Sequence, residues 1–255
     1  TVHLIGQNVD AVLVGQGHQA GLGRRTVLAG TLATCATPNA ASASDYAKAF
    51  LDSGIPLDVL VLNAGIMAVP LGRTEQGHEM HFGVNHLAHF LTQDALMPRL
   101  REARSRTGER GRLVACSSIA NMLPGAFAVD DLDWRRRETK YEKWSAYAAS
   151  KGALSAFTRS MALEFGDDEI RVNAVLPGAV DTPMLHAGLE RGHVEPGSLD
   201  ELVRGLGERH VLGRVGLPEE IGKVIHFLAD ARQSSFITGQ SIVVDGGALA
   251  RLSTE

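Results

Sequence analysis

Apolar positions along this chain fall in short blocks, separated by longer stretches with helical spacing. That alternation predicts a parallel α/β architecture. Ala11-Val-Leu-Val14 predicts a first short strand; glycines follow it, and a helix is expected from about Leu22. Leu57-Asp-Val-Leu-Val-Leu-Asn63 predicts a second strand, continuous in apolar residues as a strand covered on both faces should be. Residues 75–100 predict one long helix with Leu87, Phe90, Leu91 and Ala95 on its inner side. Arg112-Leu-Val-Ala-Cys-Ser117 returns to strand, and a polar loop through Asp130, Asp131 and Trp134 leads into the helix that bears Tyr147. Ile170-Arg-Val-Asn-Ala-Val-Leu176 is the next predicted strand, ended by Pro177 and Gly178. Residues 218–229 open with Pro218, Glu219 and Glu220, a helix start signal, and Ser241-Ile-Val-Val244 predicts the last strand.

Composition narrows the function classes. The 255 residues fit one large domain, and 44% hydrophobic with 21% charged content is ordinary for a globular protein. A net charge of -4 leaves no basic footprint for nucleic acid, and Arg135-Arg136-Arg137 is followed at once by Glu138, as in a solvated loop. No apolar run approaches the roughly 20 residues of a membrane span, and the first residues lack a signal-peptide layout. Cys35 and Cys116 supply neither a disulfide framework nor metal spacing, so the cytoplasm is the expected compartment. His78, His81, His86 and His89 cluster without a companion group of Cys, Asp or Glu, and no metal is expected.

Three patterns carry chemistry. Tyr147 and Lys151 stand one helical turn apart, so both project from one face. A lysine ammonium there would favour the phenolate and lower the tyrosine pKa from about 10, making the phenol a usable acid or base. Gly17-His-Gln-Ala-Gly21-Leu-Gly23 sits between the first predicted strand and helix, where backbone amides at a helix N-terminus can hold a phosphate. Ser117 and Ser118 end a strand and point to opposite faces, so only one of them can face a site.

In order along the chain, Gly17-x-x-x-Gly21-x-Gly23, Asn63-Ala64-Gly65, Ser118, Tyr147-x-x-x-Lys151 and Pro177-Gly178 resemble the short-chain dehydrogenase/reductase family. The middle of the chain is similar to its retinol-dehydrogenase-like branch, and Ile237 to Gly247 to its ketoacyl-reductase branch. The resemblance implies a single Rossmann-like, doubly wound α/β domain binding NAD or NADP. It makes Tyr147 the general acid/base, Lys151 its tuner and the holder of the nicotinamide ribose, Ser118 the group on the substrate oxygen and Asn85 a support of a water-linked proton relay. Gly17, Gly21, Leu22 and Gly23 would hold the diphosphate; Asn63, Ala64 and Gly65 would lie on the adenine side; Pro177, Gly178, Val180 and Thr182 would meet the nicotinamide. Met184, Leu185, His186 and Leu189, with Gly192, Pro196 and Gly197, resemble the substrate-covering loop. Trp134 and Trp144 flank the Tyr147 helix, as packing residues or as the rim of the pocket. On this plan residues 10–65 form the cofactor half, 66–182 the catalytic half, 183–215 the substrate loop and 216–255 the last helix and strand.

One departure stands out. The 40 positions from Gly23 to Asn63 leave out about one strand–helix unit, on the order of 30 residues. Thr31-Leu-Ala-Thr-Cys-Ala-Thr37 is the candidate remaining strand and residues 44–51 the helix before Leu57. No acidic residue ends a second strand to take a ribose hydroxyl, and no basic one is placed for a 2′-phosphate. The expected activity is interconversion of a secondary alcohol and a ketone on a small molecule. The alternatives are a non-redox enzyme on the same scaffold, such as a dehydratase, cyclase or isomerase, and a catalytically silent binding protein. A homodimer or homotetramer through the helices at 75–100 and 141–165 is implied by the resemblance.

Overall fold

The protein is described by a computed structural model that covers residues 15–16, 26–30, 40–122, 129–192 and 198–250. Its strands are β1 (Gly15–Gln16), β2 (Thr26–Gly30), β3 (Val59–Leu62), β4 (Arg112–Cys116), β5 (Arg171–Pro177) and β6 (Ser241–Val244). The helices are α1 (Ala40–Asp52), α2 (Met80–Phe82), α3 (Ala88–Thr107), α4 (Lys143–Glu164), α5 (Pro183–Gly192), α6 (Leu199–Gly207), α7 (Pro218–Ala229) and α8 (Ala231–Ser234). A π-helical turn, Gly83–Leu87, joins α2 to α3.

The strands form one sheet in chain order, β1-β2-β3-β4-β5-β6. Every pair from β2 onward is parallel, and only β1 and β2 run antiparallel. Side-chain alternation along the strands divides the core in two. Leu60, Leu62, Leu113, Ala115, Val172 and Leu176 pack with Phe50 of α1, Leu96 and Leu100 of α3 and Leu154 and Met161 of α4. Val114 and Val175 point to the opposite face, onto Ile221 and Leu228 of α7. Both faces are therefore covered, as a doubly wound sheet requires.

Arg112 and Arg171 are register partners at the amino ends of β4 and β5, and both are buried. Arg112 donates to the Ala229 carbonyl at 2.9 Å and Arg171 to the Leu228 carbonyl at 2.8 Å. The last carbonyls of α7, which have no partner inside the helix, are satisfied by two cations that also suit the negative end of its dipole.

The predicted elements at 112–117, 170–176, 218–229 and 241–244 are present within a residue or so of their expected bounds. Three expectations are corrected. Residues expected to continue the first helix form β2, whose short apolar Thr-Val-Leu-Ala run pairs in parallel with β3. The long helix starts at Met80 rather than 75: Gly77, at a φ of 84°, closes a turn onto the Thr74 carbonyl, and the Glu79 carboxylate caps the helix by accepting from the His81 and Phe82 amides. It then passes through the π-turn instead of running regularly. The predicted strands at 11–14 and 31–37 lie outside the described residues. The predicted helix at 44–51 is the body of α1.

Candidate active site

The carboxyl ends of β3, β4 and β5 open into one cavity of about 1420 Å³. From β3 come Asn63 and Gly65; from β4 Cys116 and Ser118; from α4 Trp144, Tyr147 and Lys151; and from the end of β5 Pro177, Gly178, Val180 and Thr182. The structure thus brings together nine of the expected site residues: Asn63, Gly65, Ser118, Tyr147, Lys151, Pro177, Gly178, Val180 and Thr182. Ala64 is buried beside them, and Asn85 reaches the site from the π-turn. Gly17, Gly21, Leu22 and Gly23 lie outside the described residues.

Ser117 and Ser118 part as strand alternation requires. Ser117 Oγ turns into α4, 2.8 Å from the Lys151 carbonyl, whereas Ser118 lines the cavity with Tyr147 and its Oγ accepts from the Ala120 amide at 3.1 Å. Tyr147 is only 6% exposed, and its ring meets the edges of Trp144 and His81 at 6.1 Å each. Burial pushes the phenol up to about 12; nearby Ser118 pulls against that rise and the neighbouring Cys116 adds to it. Here the expectation from spacing is overturned. Lys151 Nζ lies 6.0 Å from the Tyr147 ring centre and donates to the Cys116 carbonyl at 2.8 Å. Burial lowers the lysine itself, and desolvation is the largest influence on the phenol.

Asn85 is fully buried and its amide is engaged on three sides. Oδ1 accepts from the Ile66 amide at 2.8 Å, and Nδ2 donates to the Ile66 carbonyl at 3.0 Å and to Ser150 Oγ at 2.9 Å. It reaches Ile66 from a π-turn, closed by the Ala88 amide on the Gly83 carbonyl, a device that recurs at functional sites. Gly65 lies where Asn85 and Lys151 converge: a methyl there would stand 3.1 Å from Asn85 Oδ1 and 3.4 Å from Lys151 Nζ.

The β5 end is shaped by close approach. A side chain on Gly178 would meet the Asp245 backbone at 2.9 Å. His210, which the sequence reading missed, accepts from the Ala179 amide at 3.3 Å and bonds the Leu206 carbonyl through its other ring nitrogen at 2.9 Å. Nothing in its local sequence marks it. Thr182 Oγ1 donates to the Val180 carbonyl and accepts from the Leu185 amide, so it also starts α5. Met184, Leu185 and Leu189 of α5, Leu202 and Leu206 of α6 and Ile221 and Ile225 of α7 complete an apolar wall. Met67, directly after the Asn63 segment, was likewise missed and lines the cavity. Trp144 forms part of the rim, but Trp134 is buried against Tyr141, their rings 5.3 Å apart.

A nicotinamide dinucleotide would meet this site in two halves. The Pro177–Thr182 segment, Asn63, Gly65, Tyr147 and Lys151 face one cavity with room for a nicotinamide and a substrate, and that half fits. The diphosphate half does not follow the expected plan. The strand stubs on either side of the glycine cluster pair with each other antiparallel, Gly15 against Val27, so a strand follows the cluster where a helix was expected.

Comparison with known proteins agrees with this geometry. The family model described as enoyl-(acyl carrier protein) reductase matches residues 133–248. The chain belongs to the short-chain dehydrogenase/reductase family. It is 41% identical over 145 residues to the polyprenol dehydrogenase of Danio rerio, a stretch covering 56% of this chain and 43% of that one. It is 32% identical over 198 residues to the hydroxynaphthalene reductase-like protein Arp2 of Metarhizium brunneum, covering 76% and 66%. The chain thus spans less than two thirds of the length of both curated relatives. Among family members of known structure, the aldohexose dehydrogenase of Thermoplasma acidophilum superposes with a TM-score of 0.65 at 25% identity, over 86% of this chain and 78% of that one. No helix among the described residues is long and apolar enough to cross a membrane.

Proposed function

We propose that this protein is an NAD- or NADP-dependent oxidoreductase that interconverts a secondary alcohol and a ketone on an apolar small molecule. One observation carries the reading: Tyr147 and Ser118 face the same cavity as the Pro177–Thr182 segment, with Ser118 near enough to pull against the rise of the phenol. Pro177, Gly178, Val180, Thr182 and Lys151 would hold the nicotinamide end of the dinucleotide, which supplies the hydride when bound. The protein supplies the proton. With its pKa up at about 12, Tyr147 is a neutral phenol throughout the physiological range and is set to donate to an oxygen that gains negative charge. Ser118 hydrogen-bonds the same oxygen and stabilises that charge. Asn85 and Lys151, which converge on Gly65, are assigned to returning the proton to Tyr147. The apolar wall of Leu185, Leu189, Leu202 and Leu206 favours a substrate with a hydrocarbon body and a single polar end. We place the enzyme in the cytoplasm, acting without nucleic acid or membrane partners.

The test is titration of NADH and NADPH fluorescence, followed by turnover of apolar ketones. Binding of either dinucleotide below millimolar levels and reduction of the ketone are expected. Tyr147→Phe is expected to cut turnover by about 10²–10⁴-fold while leaving dinucleotide binding in place. Full turnover in Tyr147→Phe removes the acid/base assignment. A second reading, a dehydratase, cyclase or isomerase on the same catalytic groups, is favoured by the antiparallel strand stubs around the glycine cluster. It requires product formation with no change in dinucleotide absorbance.

A further inference from the structure

The wall of the cavity beside Met67 is a turn in an unfavourable conformation. Ala68 is fully buried and has a φ of 51°, the left-handed region that costs a residue with a Cβ about 1–2 kcal/mol. Such a conformation persists only where its surroundings hold it. Two side chains from the start of the α2–α3 helix do so. Asn85 takes both the amide and the carbonyl of Ile66, and His81 Nε2 takes the amide of Val69 at 3.2 Å.

A backbone amide can only donate, so Nε2 accepts and the ring proton is on Nδ1. Nδ1 donates to Glu79 Oε1 at 2.7 Å, and the Tyr141 hydroxyl donates to the same oxygen at 2.7 Å. Glu79 is fixed in turn by the His81 and Phe82 amides, and its own amide is held by Asp133 Oδ1 at 3.0 Å. Glu79 and His81 are 1% and 0% exposed. A buried carboxylate–histidine–tyrosine cluster so fully bonded orients its histidine in one way only. The free edge of that ring lies against Tyr147, and on the far side of the turn Arg191 of α5 donates to the Met67 carbonyl at 2.9 Å.

We propose that His81, aligned by Glu79 and Tyr141, is a positioning residue that pins the strained turn at residues 66–69 and thereby sets the affinity for substrate. The effect on substrate rests on the oxidoreductase reading above; the pinning of the turn does not. His81 touches neither reacting atom, so its loss acts on the shape of the Met67 wall and spares the proton step.

The experiment compares His81→Phe, His81→Gln and Tyr141→Phe in the full chain by two readouts: steady-state ketone reduction at saturating dinucleotide, and hydrogen exchange of the Val69 amide. His81→Phe is expected to raise KM about tenfold or more with kcat changed less than about threefold, and to speed Val69 exchange about tenfold. His81→Gln, which keeps an acceptor near the Nε2 position, is expected to recover most of both effects. Tyr141→Phe is expected to speed Val69 exchange about threefold, and it carries the test with His81→Gln if the phenylalanine variant fails to fold. Unchanged Val69 exchange in the folded variants overturns the proposal, as does a fall in kcat at constant KM. If the parent protein reduces no ketone with either dinucleotide, the oxidoreductase reading fails, and Val69 exchange alone decides whether His81 pins the turn.

Discussion

His89 lies one turn beyond Asn85 on the buried side of α3 and is 2% exposed. Burial, with help from Lys151 and His86, pushes its imidazole down to about 3. The unfolded chain returns it to about 6.5, so the unfolded state binds the proton more tightly. The neutral ring therefore contributes stability that is fully present above pH ~6.5 and is lost as pH falls towards ~3. The full shift corresponds to roughly 5 kcal/mol. Denaturant unfolding across this window is expected to show a steeper acid loss in the parent protein than in His89→Gln. Equal slopes would mean that His89 gains a proton without strain in the fold. Tyr147 behaves oppositely at the alkaline end: its raised pKa holds the proton in the folded state, and that stability fades only between about pH 10 and 12.

The π-turn is the element on which the site depends most. It carries Asn85 towards Ile66, and it begins at Gly83, where a methyl would overlap Thr74 Cγ2. Thr74 cannot easily yield, because its Oγ1 accepts from the His78 amide at 3.2 Å. Gly83→Ala is therefore expected to destabilise the protein by about 1–2 kcal/mol despite the better helix propensity of alanine, and to weaken dinucleotide binding through Asn85. Thermal unfolding together with fluorescence titration checks this; a more stable variant would show that Thr74 moves aside at no cost. The turn was not legible in the sequence. A helix with one extra residue keeps almost the same apolar spacing, so residues 75–100 read as regular. Asn85, Ser118, Tyr147 and Lys151 were legible because each sits at a fixed offset within an ordered set of motifs. His81, Met67 and His210 were not, because each acts through a backbone amide that is distant in sequence or carries no side-chain signature. The direction of the Tyr147 shift was missed for a related reason: spacing gives a distance along a helix, and desolvation depends on everything packed around it.

At the scale of the molecule, α3 and α4 leave apolar side chains uncovered: Leu163 at 86% exposure, and Phe90, which the sequence pattern places on the inner side, at 43%, because the buried side of α3 runs instead through His89, Thr92, Leu96 and Leu100. A homodimer or homotetramer built on these helices is the expected solution state, and Leu163→Glu is expected to shift it towards monomer in light scattering. A parent protein that scatters only as monomer at micromolar concentration would remove this expectation. The C-terminal sheet was read well from sequence because β4, β5 and β6 are apolar runs bounded by clear turn residues. The N-terminal region was not, because a short apolar run such as Thr26–Gly30 serves helix and strand equally, and its pairing with β3 decides. The strand order has a further consequence for how the chain comes together. From β2 to β6 each strand lies beside the one made just before it. A chain leaving the ribosome thus adds each new strand to an edge already present, and no strand has to wait for, or be inserted between, later ones. Among the described strands, assembly can advance in one direction from β2 to β6, with the face of β4 and β5 that α7 covers left open until residues 218–229 are made.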